Sequence, residues 1–372
     1  MRVLMVSTSY PRDASDWHGI FIRHLVGALV RRGDIELGLW APPGERPNDV
    51  NAIALPHEAE WLARLMAAGG ISHLMRSQRV SNLLAPITLM RMIGAGYRRQ
   101  AGVDLYHINW LQCALPLPNN RVPALISVLG NDLKLLRLPL MHNLLRRVMR
   151  YRKVAICPNA DWMQVPLERA FGDLAKVVPV SFGIDPVWYA IERRLSTDTP
   201  VWLTVTRLTL NKLGALFEWS ESLFRHGGRE LHLFGPMQEE ISVPDWVHYH
   251  GAATPEQLAA EWFPRATGLI TLSQHAEGRP QVVLEAMAAG LPIVASRLAG
   301  HSSLVSDGET GYFCDSPEVY AGALQRLEDI TTNQRFGEAA RRWAKREIGT
   351  WDDCASRYAR IYRQLLGADA GD

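Results

Sequence analysis

The chain has 372 residues, 47% of them apolar and 21% charged, the composition of a folded protein of about two domains, which excludes a largely disordered or fibrous chain. Its formal charge of +2 conceals a division: residues 1–190 hold 22 basic against 14 acidic residues, net +8, and residues 191–372 hold 18 against 24, net −6. No apolar run reaches the roughly 18 residues of a membrane span, because the best candidate, 80–97, is broken by Pro86, Arg91 and two glycines.

Taken in chain order, the first apolar run is too short for a secretory signal and reads as a strand, so the chain is expected in the cytoplasm. Strand-like runs occupy 3–7, 35–41, 105–109, 124–129, 154–157 and 177–180, with an amphipathic helix over 20–32. Two stretches of this half, 61–103 and 133–160, carry six and seven basic residues and no acid, a pattern suited to a polyanion or an anionic membrane. Irregular chain at 181–186, around Gly183 and Pro186, marks a break. The second half repeats the alternation, with strands at 201–206, 230–234, 247–250, 268–272 and 292–296 and helices around 212–225, 255–263 and 281–289. The last segment, 351–366, places Tyr358, Ile361, Tyr362 and Leu365 on one helical face. Two doubly wound parallel sheets in an α/β protein are implied. Cys113, Cys157, Cys314 and Cys354 lie far apart without paired spacing, so neither a zinc site nor a disulfide framework is indicated.

The densest chemical cluster is Glu277-Gly-Arg-Pro-Gln-Val-Val-Leu-Glu285. Gly278 lets backbone approach a ligand, Pro280 suits a helix's first turn, and the amides that follow form an N-terminus that favours phosphate. Glu277 then lies in the loop and Glu285 about a turn into the helix, where both can border one ligand. Read alone, either glutamate is more often a cap or a solvated residue. The context changes that reading. The stretch, with the Gly-Leu-Pro-Ile-Val-Ala that follows its helix, resembles the Glu-x7-Glu motif of the retaining family 4 glycosyltransferases of the GT-B fold.

Val205-Thr-Arg-Leu-Thr-Leu-Asn-Lys-Leu-Gly214 resembles that family's diphosphate-binding element, with Arg207 and Lys212 in its cationic positions. Two fixed cations there neutralise charge that grows on a departing diphosphate. Gly235 stands at the family's glycine-rich strand end, and Asp307-Gly-Glu-Thr-Gly resembles a structural turn. In the first half the resemblance is weaker. Gly19 matches the glycine of the loop that opens the first helix, and Ser127-Val-Leu-Gly-Asn-Asp132 aligns with a family element in which Leu129 replaces a common histidine. Asn131 and Asp132 are carried over as cleft residues, with turn formation as their plainer reading.

The resemblance implies two Rossmann-like domains facing a cleft: 1–183 for the acceptor, 184–350 for the nucleotide sugar, and a helix in 351–372 that packs back on the first. It implies retaining, metal-independent transfer of a sugar, expected to be a hexose, from a nucleotide diphosphate sugar to a glycan or lipid-linked acceptor in cell-surface polysaccharide or glycolipid synthesis. Arg207, Lys212 and Glu277 are the expected catalytic residues. Gly19, Asn131, Asp132, Gly235, Gly278, Arg279, Pro280, Gln281, Val282, Val283 and Glu285 are the expected binding residues. No metal, separate cofactor or nucleic acid is expected: there is no Asp-x-Asp, no Gly-x-Gly-x-x-Gly after the first strand, and the nucleotide sugar is a co-substrate. His18, His24, His107 and His275 fall near the expected cleft without an assigned role. With the basic first half, peripheral attachment at the inner face of an anionic membrane is expected. The competing readings are a catalytically silent sugar-nucleotide-binding scaffold and a GT-B epimerase or phosphorylase.

Overall fold

The computed structural model describes residues 1–13, 16, 18–69, 84–130, 132–195, 199–275 and 278–367. The chain divides into two units, Met1–Phe182 with Trp351–Asp372, and Gly183–Thr350. The first contains β1 (Arg2–Val6), α1 (Ile20–Arg31), β2 (Glu36–Trp40), β3 (Val50–Ala52), α2 (Pro56–Ala67), α3 (Ala85–Arg99), β4 (Leu105–Asn109), β5 (Ala124–Val128), α4 (Met141–Met149), β6 (Val154–Pro158), α5 (Gln164–Phe171) and β7 (Lys176–Val177). All strand pairs are parallel, in the order β3-β2-β1-β4-β5-β6-β7. Every residue of β4, β5 and β6 is buried, as strands covered on both faces by helices must be.

The second unit contains β8 (Val201–Val205), α6 (Leu216–Phe224), β9 (Glu230–Phe234), β10 (Val247–Tyr249), β11 (Gly268–Thr271), α7 (Gln281–Ala288), β12 (Ile293–Ala295), β13 (Gly311–Phe313), α8 (Pro317–Leu327) and α9 (Ile330–Trp343). Its parallel sheet runs β10-β9-β8-β11-β12-β13. In both sheets the strand order reverses once, between β1 and β4 and between β8 and β11. Connections on either side of such a reversal lead to opposite directions, leaving a crevice beyond the carboxyl ends of the two strands.

The doubly wound α/β class expected from the sequence is therefore present in both units. Local boundaries differ for physical reasons. The helix expected over 212–225 is two pieces, the single turn Leu210–Leu213 and α6, because Gly214 ends the turn at φ 55. The strand expected at 177–180 is regular only at Lys176 and Val177, but its bonding to β6 continues, with the Val178 and Val180 N–H groups donating to the Ile156 and Pro158 carbonyls at 2.9 Å. The helix expected over 255–263 widens into a π-turn at Leu258–Trp262 before Pro264 ends it.

The final helix, α10 (Trp351–Leu366), belongs to the first unit's core. Its buried Trp351, Tyr358, Ile361, Tyr362 and Leu365 join Ile22, Leu25, Val26 and Leu29 of α1. A buried side chain of this size contributes about 1.5–3 kcal/mol. A polar network pins the helix to the sheet. His107 Nδ1 meets Tyr362 OH at 2.5 Å, His107 Nε2 meets Ser127 Oγ at 2.8 Å, and Ser127 Oγ meets Tyr358 OH at 3.0 Å. Burial pushes the His107 pKa down to about 3, so the ring stays neutral and fits this network with one donor and one acceptor nitrogen. Its role is structural.

Two non-glycine residues among those described have positive φ, Trp110 at 69° and Leu140 at 64°, each holding about 1–3 kcal/mol of strain. All four cysteines are buried thiols. Among the described residues no helix is long and apolar enough to cross a membrane.

Candidate functional site

The crevice of the second sheet gathers the expected cations and the Glu285 helix. Arg207 follows the end of β8. Thr209 Oγ1 then accepts the Lys212 backbone N–H at 3.2 Å and starts the turn Leu210–Leu213 that carries Lys212. Gly214 is required by close approach: a Cβ there would stand 2.0 Å from the Leu272 carbonyl oxygen just past β11. Gln274 N–H donates to the Asn211 carbonyl at 2.8 Å, and Ser296 Oγ donates to the Ser273 carbonyl at 2.5 Å. The turn that carries Lys212 is thus stitched to the loop leaving β11, which leads to α7.

The electrostatics follow from partial burial. Burial draws the Arg207 pKa down, and Arg207 Nη1 lies 3.5 Å from Gln238 Oε1. Burial and then the neighbouring charge of Arg207 bring Lys212 down to about 8, so the two cations sit close enough to repel. His301, buried with Nδ1 at 2.8 Å from the Ser296 carbonyl, is held down by burial and also feels Lys212. On α7, burial and then the like charge of Asp185 push the half-buried Glu285 up to about 7.

Of the other expected residues in this unit, Gly278 and Arg279 are half-buried in the loop before α7, and Pro280 is buried at the helix start. Of the amides that follow, those of Val283 and Leu284 donate back to the Pro280 carbonyl at 3.2 and 3.5 Å as the first turn closes. Gln281 spends its side-chain amide on the Gly183 carbonyl at 2.9 Å. Val282 is half-buried, and Val283 is fully buried in the core with its N–H already donated to the Pro280 carbonyl. Gly235 lies at the end of β9, where a Cβ would stand 1.6 Å from the Thr206 carbonyl. It keeps β8 and β9 in register just before Arg207. Glu277 and Asn131 lie outside the described residues.

In the first unit, Gly19 is the residue before α1 at φ 74, and a Cβ there would stand 2.6 Å from Ser9 Oγ. Asp132 is buried, and its two oxygens accept from the Leu111 N–H at 3.0 Å and the Leu129 N–H at 2.7 Å. It ties together the turns after β4 and β5. Burial raises its pKa to about 7 against those two bonds. Leu129 packs on the core of α1 and α10. His18 Nδ1 pairs with Asp16 at 2.7 Å, His24 stacks on Trp351, and the His275 N–H donates to Ser273 Oγ at 3.1 Å.

Sequence reasoning missed Trp110. It sits at the crevice end of β4, half-buried, edge to face with Phe21 at 6.3 Å. Nothing in the residues around Trp110 signals a left-handed φ. Ser273 and Ser296 were also missed, since their stitching depends on backbone carbonyls brought together only by the sheet. Among the described residues no group of three or more His, Cys, Asp or Glu side chains is arranged to hold a metal ion.

Residues 200–329 match the family Glycosyl transferases group 1. Over 131 residues the chain is 34% identical to a D-inositol 3-phosphate glycosyltransferase of Streptomyces avermitilis, covering 34% of this chain and 27% of that protein. The enzyme of the same name from Corynebacterium glutamicum is 30% identical over 139 residues, 37% of this chain and 32% of that one. The chain therefore spans about a third or less of these relatives' length in the matched region. Among solved structures, sucrose-phosphate synthase from Thermosynechococcus elongatus superposes with a TM-score of 0.71 at 18% identity, over 99% of this chain and 100% of that one. Anabaena Alr3699/HepE, solved with UDP and glucose, superposes with a TM-score of 0.63 at 15% identity, over 97% and 99%. These likenesses establish the fold.

Proposed function

We propose that this chain, whose residues 200–329 match the group 1 glycosyltransferases and whose fold is GT-B, transfers a sugar from a nucleotide diphosphate sugar to a hydroxyl of a glycan or lipid-linked acceptor, with retention at the anomeric carbon. The observation that carries this reading is the meeting of Arg207 and Lys212 at the strand-order reversal of the second sheet, in the unit that holds the first turn of α7 and Glu285. Two cations that repel each other when the site is empty gain most when a diphosphate arrives, and more still as its leaving oxygen takes charge. In this reading the amides that open α7 ahead of Val283 also face phosphate, Glu285 accepts hydrogen bonds from the ribose hydroxyls, and Glu277 meets the transferred sugar. The proton of the acceptor passes to the departing phosphate on the face that the leaving group vacates.

UDP-sugars are the first donors to test, because Anabaena Alr3699/HepE was solved with UDP and with UDP-glucose. The test is a single-turnover assay with UDP-hexoses and crude glycan or lipid-linked acceptors, with the anomer read by NMR. The expected result is UDP release coupled to an α-linked product from an α-linked donor, with turnover retained in EDTA. Binding without release would point to a silent scaffold, and loss of turnover in EDTA restored by magnesium would overturn the metal-independent mechanism.

The pH dependence of nucleotide binding tests the two titrating groups. A carboxylate that accepts ribose hydroxyls must be ionised, so affinity falls as Glu285 protonates below about 7. An ammonium that meets diphosphate must be protonated, so affinity falls as Lys212 deprotonates above about 8. Calorimetric titration with UDP is expected to give a narrow bell between these values, with about tenfold loss per pH unit on either flank. A profile flat from pH 6 to 9 would take both residues out of the site.

The acceptor falls to the first unit in this reading, with the protein peripheral at the inner face of an anionic membrane. The net charge of +8 over residues 1–190 supports that placement. Part of the basic sequence serves the fold instead. Arg99 holds buried Glu58 at 2.6 Å, Arg146 holds Asp173, and Arg152 binds the Val122 carbonyl from a buried position. Residues 70–83 of the first basic stretch lie outside the described residues.

A further inference from the structure

Helix α4 and the turn before it carry an outer stripe that folding does not require. The inner face is accounted for. Leu145 and Met149 are buried, Arg146 Nη1 binds Asp173 at 2.7 Å and the Ala170 carbonyl at 2.8 Å, and His142 Nε2 reaches the same carbonyl at 3.0 Å. On the other side Leu140, Leu144, Arg147 and Tyr151 follow at the spacing of one helical stripe. A solvated helix places polar residues there. Instead Leu140, Leu144 and Tyr151 are 71%, 47% and 53% exposed, with Leu138 beside them at 50%.

Charge surrounds these residues without opposition from their own segment. Lys134, Arg137, Arg147 and Arg150 are exposed, and residues 133–160 contain no carboxylate. Leu140 adds a backbone observation, since it is held at φ 64, a conformation that glycine adopts freely and leucine only under strain. The chain keeps a strained leucine at a position that is mostly in water.

We propose that the turn 137–140 and the outer face of α4 form the docking surface for an anionic lipid bilayer. Leu138, Leu140 and Leu144 enter the boundary between headgroups and acyl chains, and Lys134, Arg137, Arg147 and Arg150 meet the lipid phosphates. Apolar insertion ringed by cations is the chemistry of an interfacial anchor, and the basic residues select the anionic leaflet. The proposal rests on the membrane placement given above and assigns it to one surface.

The test is co-sedimentation of the full chain with vesicles of phosphatidylcholine alone or mixed with phosphatidylglycerol. Binding to the anionic vesicles that weakens with salt is expected. Leu144→Asp and, separately, Leu140→Gly should each reduce partition by about tenfold or more. Leu140→Gly is informative because glycine relieves the strain, so its melting temperature should hold or rise while binding falls. Transfer to a water-soluble acceptor should be unchanged in both variants. Equal partition of wild type and both variants would overturn this surface while leaving membrane placement standing. No binding of wild type to any vesicle would overturn both. A dimer in sedimentation velocity that Leu144→Asp disperses would show the stripe to be an interface between copies and overturn the lipid assignment.

Discussion

Replacing Arg207 or Lys212 with alanine is expected to lower kcat by about two to three orders of magnitude, the loss of about 2.7–4 kcal/mol typical for one preorganised donor to transition-state charge. The structure adds a signature that separates this from misfolding. Lys212 is drawn down to about 8 partly by Arg207, so removing either residue relieves a repulsion in the empty protein. Melting temperature should therefore hold or rise while activity collapses. UDP affinity should fall less than turnover does, because the bound diphosphate carries less charge at the bridging oxygen than the departing one. Unaltered kcat in both variants would remove them from the catalytic site.

The largest expected effect on stability is at Gly235. Its φ of 137 is a conformation that L-residues rarely adopt, and an added Cβ would stand 1.6 Å from the Thr206 carbonyl oxygen. Its own N–H donates to the Gly251 carbonyl at 2.7 Å, so the segment is held from both sides. Gly235→Ala combines backbone strain with a clash against backbone and should cost about 3–5 kcal/mol. Gly227 supplies the control: at φ 81 with nothing within 4 Å, its alanine variant carries strain without the clash and should cost about 1 kcal/mol. Urea unfolding of the two variants checks the difference. Equal midpoints would mean that β8 and β9 part easily, and that Gly235 does not set the position of Arg207.

Much of the architecture was legible because burial on both faces writes parallel strands as continuous apolar runs, as in Val154–Pro158 and Ile293–Ala295. Short edge strands such as Val50–Ala52 left too little pattern to read. The break at Gly214 was hidden for another reason. The flanking residues have a helical pattern, and only the Leu272 carbonyl, distant in sequence, requires the glycine. In the candidate site, motif spacing located Arg207, Lys212, Pro280 and Glu285, which lie in one unit on the segments that follow β8 and β11. The repulsion between the cations, the pressure of Asp185 on Glu285 and the engagement of both Asp132 oxygens are properties of proximity, which no linear pattern records. His107, left without a role in the sequence reading, depends on proximity in the same way. A histidine near an expected cleft invites a chemical role, yet its surroundings hold it neutral between three hydroxyl-bearing residues, two of them tyrosines of α10.

The engagement of α10 also orders events in time. The first unit is complete only when Trp351–Leu366 joins a core whose other members end at Phe182, with all of the second unit interposed. A ribosome emits these parts in sequence, so the amino-terminal sheet emerges first with one helix's worth of apolar surface uncovered around Ile22, Val26 and Leu29. The second unit, whose residues are contiguous, can close on its own in the meantime. By drawing its ends together it shortens the effective loop that α10 must span, and the entropy of closure grows only logarithmically with what remains. The unit that is made first is thus finished last, and a nascent chain stalled before Trp351 exposes the surface by which a chaperone would hold it.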